Sequence, residues 1–239
     1  IGSMAAYYVQ GETSRSSAGY PAILTPARFD WTRATRHLRM LNVKHFIARD
    51  KRTRSALDRS QQWRELRSAG AWSLYELTTH DGSYVHVPGR QPVAVVTRNW
   101  KAAALDWLYT FEAVDYPVVL LDPEEAESYP CEPVLSEAEF RAALGELAQG
   151  RVRGLPWKSV QVETNPVGRE SVEDGIIRFR TGAPGKPHVI KCSFFPNWKV
   201  RGARAVYRVA PGFMLVYPEQ EQVELYYGYT PAETAGKAV

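Results

Sequence analysis

Polar and apolar positions first fall into register after Asp30. Ala34, Leu38 and Leu41 recur at spacings of four and three, which puts them on one helix face, and Asp30 stands where a side-chain cap belongs. Asn42 marks the end, and Val43–Ile47 reads as a strand. A second, polar helix through Ala56-Leu57 leads to Trp63-Arg64-Glu65-Leu66, and a turn at Ala69-Gly70 precedes the alternating run Trp72–Leu77. Residues 5–30 lack such periodicity; Gly11, Ser14, Ser16, Ser17, Gly19, Pro21 and Pro26 describe an irregular lead-in. Beyond Pro92, Val93–Thr97 is a strand. Asn99 caps a helix with Trp100, Ala104, Trp107, Leu108 and Phe111 along one stripe, and Val118–Leu121 is a buried strand. Ser136-Glu137-Ala138-Glu139 is a capping box that opens a helix with Phe140, Ala143, Leu144 and Leu147 inward. Strands alternating with helices predict an α/β layer with some parallel pairing.

The pattern changes past Gly154. Val160–Thr164, Ile176–Thr181, Val189–Phe194, Ala205–Val209, Phe213–Tyr217 and Val223–Tyr227 are short, alternating and rich in β-branched and aromatic residues, with Gly/Pro turns between them. Such spacing predicts an antiparallel β-sandwich. The expected organisation is therefore α+β: a cloning scar at 1–4, an α/β domain over 5–150, a β-sandwich domain over 151–231, and a flexible tail at 232–239. The boundary is expected within Gly145–Gly154.

Composition adds little to this, and charge adds more. The chain has 239 residues, with 44% hydrophobic and 23% charged, ordinary for a globular protein. Its net charge of +4 conceals an asymmetry. Between Arg33 and Arg67 eleven Lys and Arg face three acids, whereas between Asp122 and Glu146 eight acids face Arg141 alone. Two solvated faces of opposite sign are one reading; the other is contact of the basic stretch, through Arg36, Arg39, Arg52 and Arg54, with anionic head groups or a phosphorylated ligand.

No residues assemble into a recognised catalytic motif. The five histidines form neither HxH nor HExxH, the two cysteines form no CxxC, and GxSxG and phosphate-loop patterns are absent. No metal or cofactor is expected. Cys131 and Cys192 are read as two reduced thiols, with a disulfide as the alternative. The acids Asp122–Glu127 follow a strand, where an α/β active site would sit, so a soluble enzyme built on that loop is the alternative reading; a general acid there would need burial. Trp198, Tyr207, Tyr227 and Trp100 are candidate sugar-stacking platforms, with core packing as the alternative, favoured for Trp198 after the turn-forming Pro196-Asn197. Nucleic acid is not an expected partner.

The segment His188–Val200, with Phe194-Phe195-Pro196-Asn197-Trp198-Lys199 at its centre and continuing through Tyr207–Pro218, resembles a recurrent stretch of large bacterial multi-pass membrane proteins. Leu38–Arg49, with Leu41-Asn42-Val43-Lys44, is similar to a second stretch of the same group, in the same order. The group is the YfhO-like and GT-C-type glycosyltransferases, some of them called 6-pyruvoyl-tetrahydropterin synthase-related. The resemblance implies a soluble domain on the extracytoplasmic face of the inner membrane, joined to a transmembrane portion of its own polypeptide. Its role would be to bind glycan or lipid-linked sugar, or to brace the membrane part. In the group, catalysis belongs to loops between transmembrane helices, so the resemblance implies a non-catalytic accessory domain here. Cys192 departs from the small or β-branched residue expected at its position.

Overall fold

In the computed structural model, which describes residues 2–13, 29–161 and 166–228, the first element is a helix, α1 (Gly2–Thr13). It overturns the expected irregular lead-in over residues 5–13, whereas the markers from Ser14 to Pro26 lie outside the described residues. The helix also contains Gly2, Ser3 and Met4, which the sequence pattern had set apart from the fold. Ala5, Tyr8, Val9 and Glu12 are among its buried positions. Their spacing is helical, but a buried carboxylate hid the stripe. Glu12 is compensated inside: its carboxylate meets His37 Nδ1 at 2.7 Å and Arg33 Nε at 3.4 Å.

The first compact unit ends at Ser83. Asp30 caps α2 (Trp31–Met40) by accepting from the backbone N–H groups of Thr32 and Arg33. Asn42 then takes a φ of +61°, a conformation asparagine tolerates better than most residues, and turns the chain into β1 (His45–Ala48). Asp50 caps α3 (Lys51–Asp58), and β2 (Trp63–Ala69) and β3 (Trp72–Leu77) form a hairpin across Gly70 at φ +59°. The three strands are antiparallel in the order β1-β3-β2. On their closed face Ala34, Leu38, Leu57, Trp63, Tyr75 and Leu77 make the core. Trp31, Phe46 and Trp63 meet edge to face at 5.1–6.3 Å, and Trp63 Nε1 donates to Thr35 Oγ1, so no indole N–H is buried unpaired at Trp63.

The second unit runs from Tyr84. Its elements are β4 (Val85–His86), β5 (Val93–Val96), α4 (Trp100–Tyr109), β6 (Val118–Leu121), β7 (Val134–Leu135) and α5 (Glu137–Ala148). These are followed by β8 (Val167–Glu173), β9 (Ile176–Thr181), β10 (His188–Ile190), β11 (Trp198–Arg201), β12 (Tyr207–Val209), β13 (Phe213–Val216) and β14 (Gln222–Tyr227). The caps expected at Asn99 and Ser136 are present, the latter as a reciprocal capping box. Seven strands form one mixed sheet, β4-β10-β13-β12-β6-β5-β7, in which β5 is parallel to both β6 and β7. Four form an antiparallel sheet, β11-β14-β9-β8. Val85, Ile190, Met214 and Val216 of the larger sheet pack against Ile177, Phe179, Val223 and Leu225 of the smaller one, a sandwich-like stack. The molecule is α+β.

The expected division at Gly145–Gly154 is not where the chain divides. β6 of the α/β layer pairs with β12 of the last third, Val209 opposite Val119, and Ala210 N–H donates to Val118 O at 2.8 Å. One sheet therefore spans the expected boundary. Alternation reports which strands exist but not which of them neighbour each other. The strands β4, β7, β8 and β11 escaped the pattern altogether. Of the strand expected at Val160–Thr164, Val162–Thr164 lie outside the described residues, and so does the tail at 232–239.

Candidate functional site

Along β9, Ile177, Phe179 and Thr181 point into the core, so Arg178 and Arg180 stand on the opposite face of the four-stranded sheet. The same alternation on β14 buries Val223 and Leu225 and turns out Gln222, Glu224 and Tyr226, while β11 turns out Lys199 and Arg201. Register brings these positions into rows. Glu224 lies opposite Arg178 on one side and Arg201 on the other, and Gln222 lies opposite Arg180. The result is a groove of about 570 Å³ whose lining includes Arg169, Arg178, Arg180, Arg201, Gln220 and Glu224.

Two backbone devices shape it. Arg169 occupies a bulge in β8, between Gly168 and Ser171, at a φ of +49°. That conformation is unusual for a non-glycine residue. The bulge sends consecutive side chains to different duties. Arg169 lines the groove, whereas Glu170 accepts the backbone N–H groups of Tyr84 and Val85, both at 2.9 Å, and ties β8 to the edge strand β4. At the other end, Gly202 has a φ of +78°, and a Cβ there would collide with the carbonyl oxygen of Gln222. Its own carbonyl accepts from Glu219 and Gln220, which folds Gln220 back beside Arg201.

The groove is cationic. Four guanidinium groups line it against one carboxylate. Glu224 accepts from Arg178 Nε at 2.7 Å and from Arg201 Nη1 at 2.6 Å, and the hydrogen bond from Arg178 leads in holding its carboxyl below the usual range. Arg180 pairs with Glu221. Arg169 has no ion-pair partner among the described residues. Arg201 also lies 4.7 Å over the ring of Tyr226. Forked donors held by strand geometry, with amides beside them, suit an anion carrying carboxylate or phosphate oxygens.

The four expected sugar platforms are distributed differently. Trp198 is half-buried on the core side of the same sheet, its Nε1 donating to Ser193 O at 3.2 Å, and its ring meets Tyr227 edge to face at 5.8 Å. The structure does bring those two together, with Tyr227 exposed. Tyr207 is not available as a platform: it is 7% exposed, packed edge to face on Tyr129 and Tyr217, and burial pushes its hydroxyl pKa up. Trp100 is half-buried under the guanidinium of Arg208, which stands 4.3 Å from it and 4.8 Å from Phe194. Burial lowers the pKa of that guanidinium, with Asp122 and Glu125 opposing.

The expected anion contacts are carried by two helices of the first unit. Arg36 and Arg39 lie on α2, Arg52 and Arg54 on α3, the helices that cover the closed face of the three-stranded sheet. Arg39 Nη2 donates to Gln62 Oε1 and Thr79 Oγ1, Arg52 stacks 3.9 Å over Phe29, and Arg54 Nε is buried. The arginines that do converge, Arg169, Arg178, Arg180 and Arg201, went unread because Ile176–Thr181 attracts attention for its apolar positions. The signal was the complementary set, Arg178 and Arg180 at a spacing of two.

The acidic loop is open: Glu124, Glu125 and Glu127 are exposed, and Glu125 accepts the backbone N–H of Asp122. It lacks the burial that a general acid requires. Cys131 and Cys192 are free, and burial, with Glu170 nearby, pushes the Cys192 thiol up to about 11. At neutral pH that thiol is protonated and a poor nucleophile. Among the described residues no cluster of three or more His, Cys, Asp or Glu could hold a metal ion. No family model, no curated protein and no solved structure matches this chain.

Proposed function

We propose that this chain is a non-catalytic accessory domain that captures an anionic group of a cell-envelope saccharide or of its lipid-linked precursor. The observation that carries the reading is the convergence of Arg169, Arg178, Arg180 and Arg201 on one groove. The proposed setting is the extracytoplasmic face of a bacterial inner membrane, as part of a YfhO-like or GT-C-type polytopic protein. It rests on the resemblance of His188–Val200 and Leu38–Arg49. No helix among the described residues is long and apolar enough to cross a membrane, so the proposal assigns the spans to chain outside these residues. In this reading recognition is mainly electrostatic: the acid group of the saccharide seats between the guanidinium forks, and Gln220 and Gln222 meet its hydroxyls.

Titration calorimetry with a sugar phosphate, a uronic-acid oligosaccharide and the neutral parent sugars tests this. The charged ligands are expected to bind with an affinity that falls as salt rises, and the neutral sugars not at all. Charged hydrogen bonds contribute about 1.5–3 kcal/mol each, so Arg178→Ala and Arg201→Ala should each weaken binding by roughly ten-fold or more. Glu224→Gln removes the competing carboxylate and should strengthen it. Equal binding of neutral and charged sugars, or binding indifferent to these arginines, would refute the proposal.

A further inference from the structure

The three-stranded sheet of the first unit has one closed face and one open face. Alternation turns Ile47 of β1 and Trp72 and Leu74 of β3 to the open side, with Ile47 opposite Leu74 in register. Ile47 is 63% exposed and Trp72 51%, and Leu66, the extra residue of the bulge in β2, is 45% exposed. Ile47 and Trp72, large apolar side chains exposed on one face, mark a contact surface. Its surroundings are cationic. Arg49 lies 5.4 Å over the ring of Trp72, and Arg67 is opposite Leu74. Arg64 and Lys44 flank Glu76, the one carboxylate that the strands present on this face, at 2.6 Å and 3.7 Å. The hydrogen bond from Arg64 leads in holding the Glu76 carboxyl below its usual range. The basic run of the sequence is thereby divided, with Lys44, Arg49, Arg64 and Arg67 separated from the arginines of α2 and α3.

We infer that this open face docks on an anionic lipid surface. An indole beside aliphatic side chains suits the interface between head groups and acyl chains, where Trp is favoured because one end is apolar and the other wet. The surrounding guanidinium groups match a negative leaflet, and each cation near such a surface is worth on the order of five-fold in affinity. A protein partner would need a carboxylate pattern matched to each cation; a leaflet needs none. The inference does not depend on what the groove of the second unit holds.

Co-sedimentation of the whole chain with vesicles tests it, comparing pure phosphatidylcholine with phosphatidylcholine containing about 30% phosphatidylglycerol. Binding is expected to the anionic vesicles, weakening with salt. The pairs Trp72→Ala with Ile47→Ser, and Arg49→Glu with Arg67→Glu, should each reduce it by about ten-fold or more. These positions are exposed, so circular dichroism and the unfolding temperature should stay unchanged and separate lost docking from lost folding. Arg178→Ala with Arg201→Ala should abolish sugar-phosphate binding and leave vesicle binding intact. The inference is overturned by equal binding to both vesicles, by no binding, or by vesicle binding that follows the groove variants. It is also overturned if sedimentation shows a dimer that Trp72→Ala dissolves, which would assign the face to a second copy.

Discussion

His188 is fully buried on β10, and its bonds fix its tautomer. Nδ1 lies 2.9 Å from the carbonyl oxygen of Lys186, which can only accept, so Nδ1 carries the proton. Nε2 then accepts from Thr181 Oγ1 at 2.7 Å, and that oxygen in turn accepts the N–H of Ala183. Phe179 stacks on the ring at 5.5 Å. Burial lowers the pKa below its ordinary 6.5, the Lys186 carbonyl only partly opposing. The folded chain thus holds a neutral imidazole, while the unfolded chain takes up a proton near 6.5. The stability from this residue is present above that pH and is lost as pH falls through the depressed folded value. Thermal unfolding followed from about pH 8 to pH 5 should show a declining midpoint, and His188→Gln should flatten the decline. An imidazole titrating at or above 6.5 by NMR in the folded chain would contradict this account.

Strands in this molecule carry two messages at once, one on each face. The buried positions of β9 and β14 announce a strand, and the exposed positions of the same strands build the groove. Helices were legible where a cap stands beside a stripe, as at Asp30, Asn99 and Ser136. α1 was not, because its inward face includes Glu12, which only partners twenty-one and twenty-five residues away make tolerable. β8 was missed because Val167-Gly168-Arg169-Glu170-Ser171 has no alternation to read: a bulge interrupts it. β11 was absorbed into the turn of Pro196-Asn197 before it. The groove depends on such a local device at Gly202. Gly202→Ala should cost roughly 1–3 kcal/mol in denaturant unfolding, from the positive φ and the collision with the Gln222 carbonyl. It should weaken anion binding as well, because Arg201 and Gln220 flank the same turn. Unchanged stability in that variant would mean the turn is more yielding than its geometry states.

At the scale of the molecule, the expected boundary failed for a reason that composition cannot reveal. β6 and β12 are both short and wholly or largely buried, and neither sequence names its neighbour. The seven-stranded sheet draws β4, β5, β6 and β7 from one side of Gly150 and β10, β12 and β13 from the other. A fragment of residues 151–231 should therefore lack a folded core, whereas 84–239 should fold by itself, as judged by dispersion in an amide NMR spectrum. A well-dispersed spectrum from the shorter fragment would restore the division expected from sequence. Class and several elements were readable; the groove was not, because its converging arginines lie on strands whose adjacency no local pattern encodes.

The pairing of Val119 with Val209 also sets an order of events during synthesis. β5 and β6 leave the ribosome early and can pair with each other, but the far edge of β6 stays open until β12 has been made. For that interval a short, entirely apolar strand presents unpaired backbone groups, the arrangement that invites pairing with the wrong chain. Contacts so distant along the chain also slow folding, because loop closure must precede the bonds that reward it. The nascent chain is thus most vulnerable between the appearance of Leu121 and that of Tyr207, and any factor that shields it must act in that window.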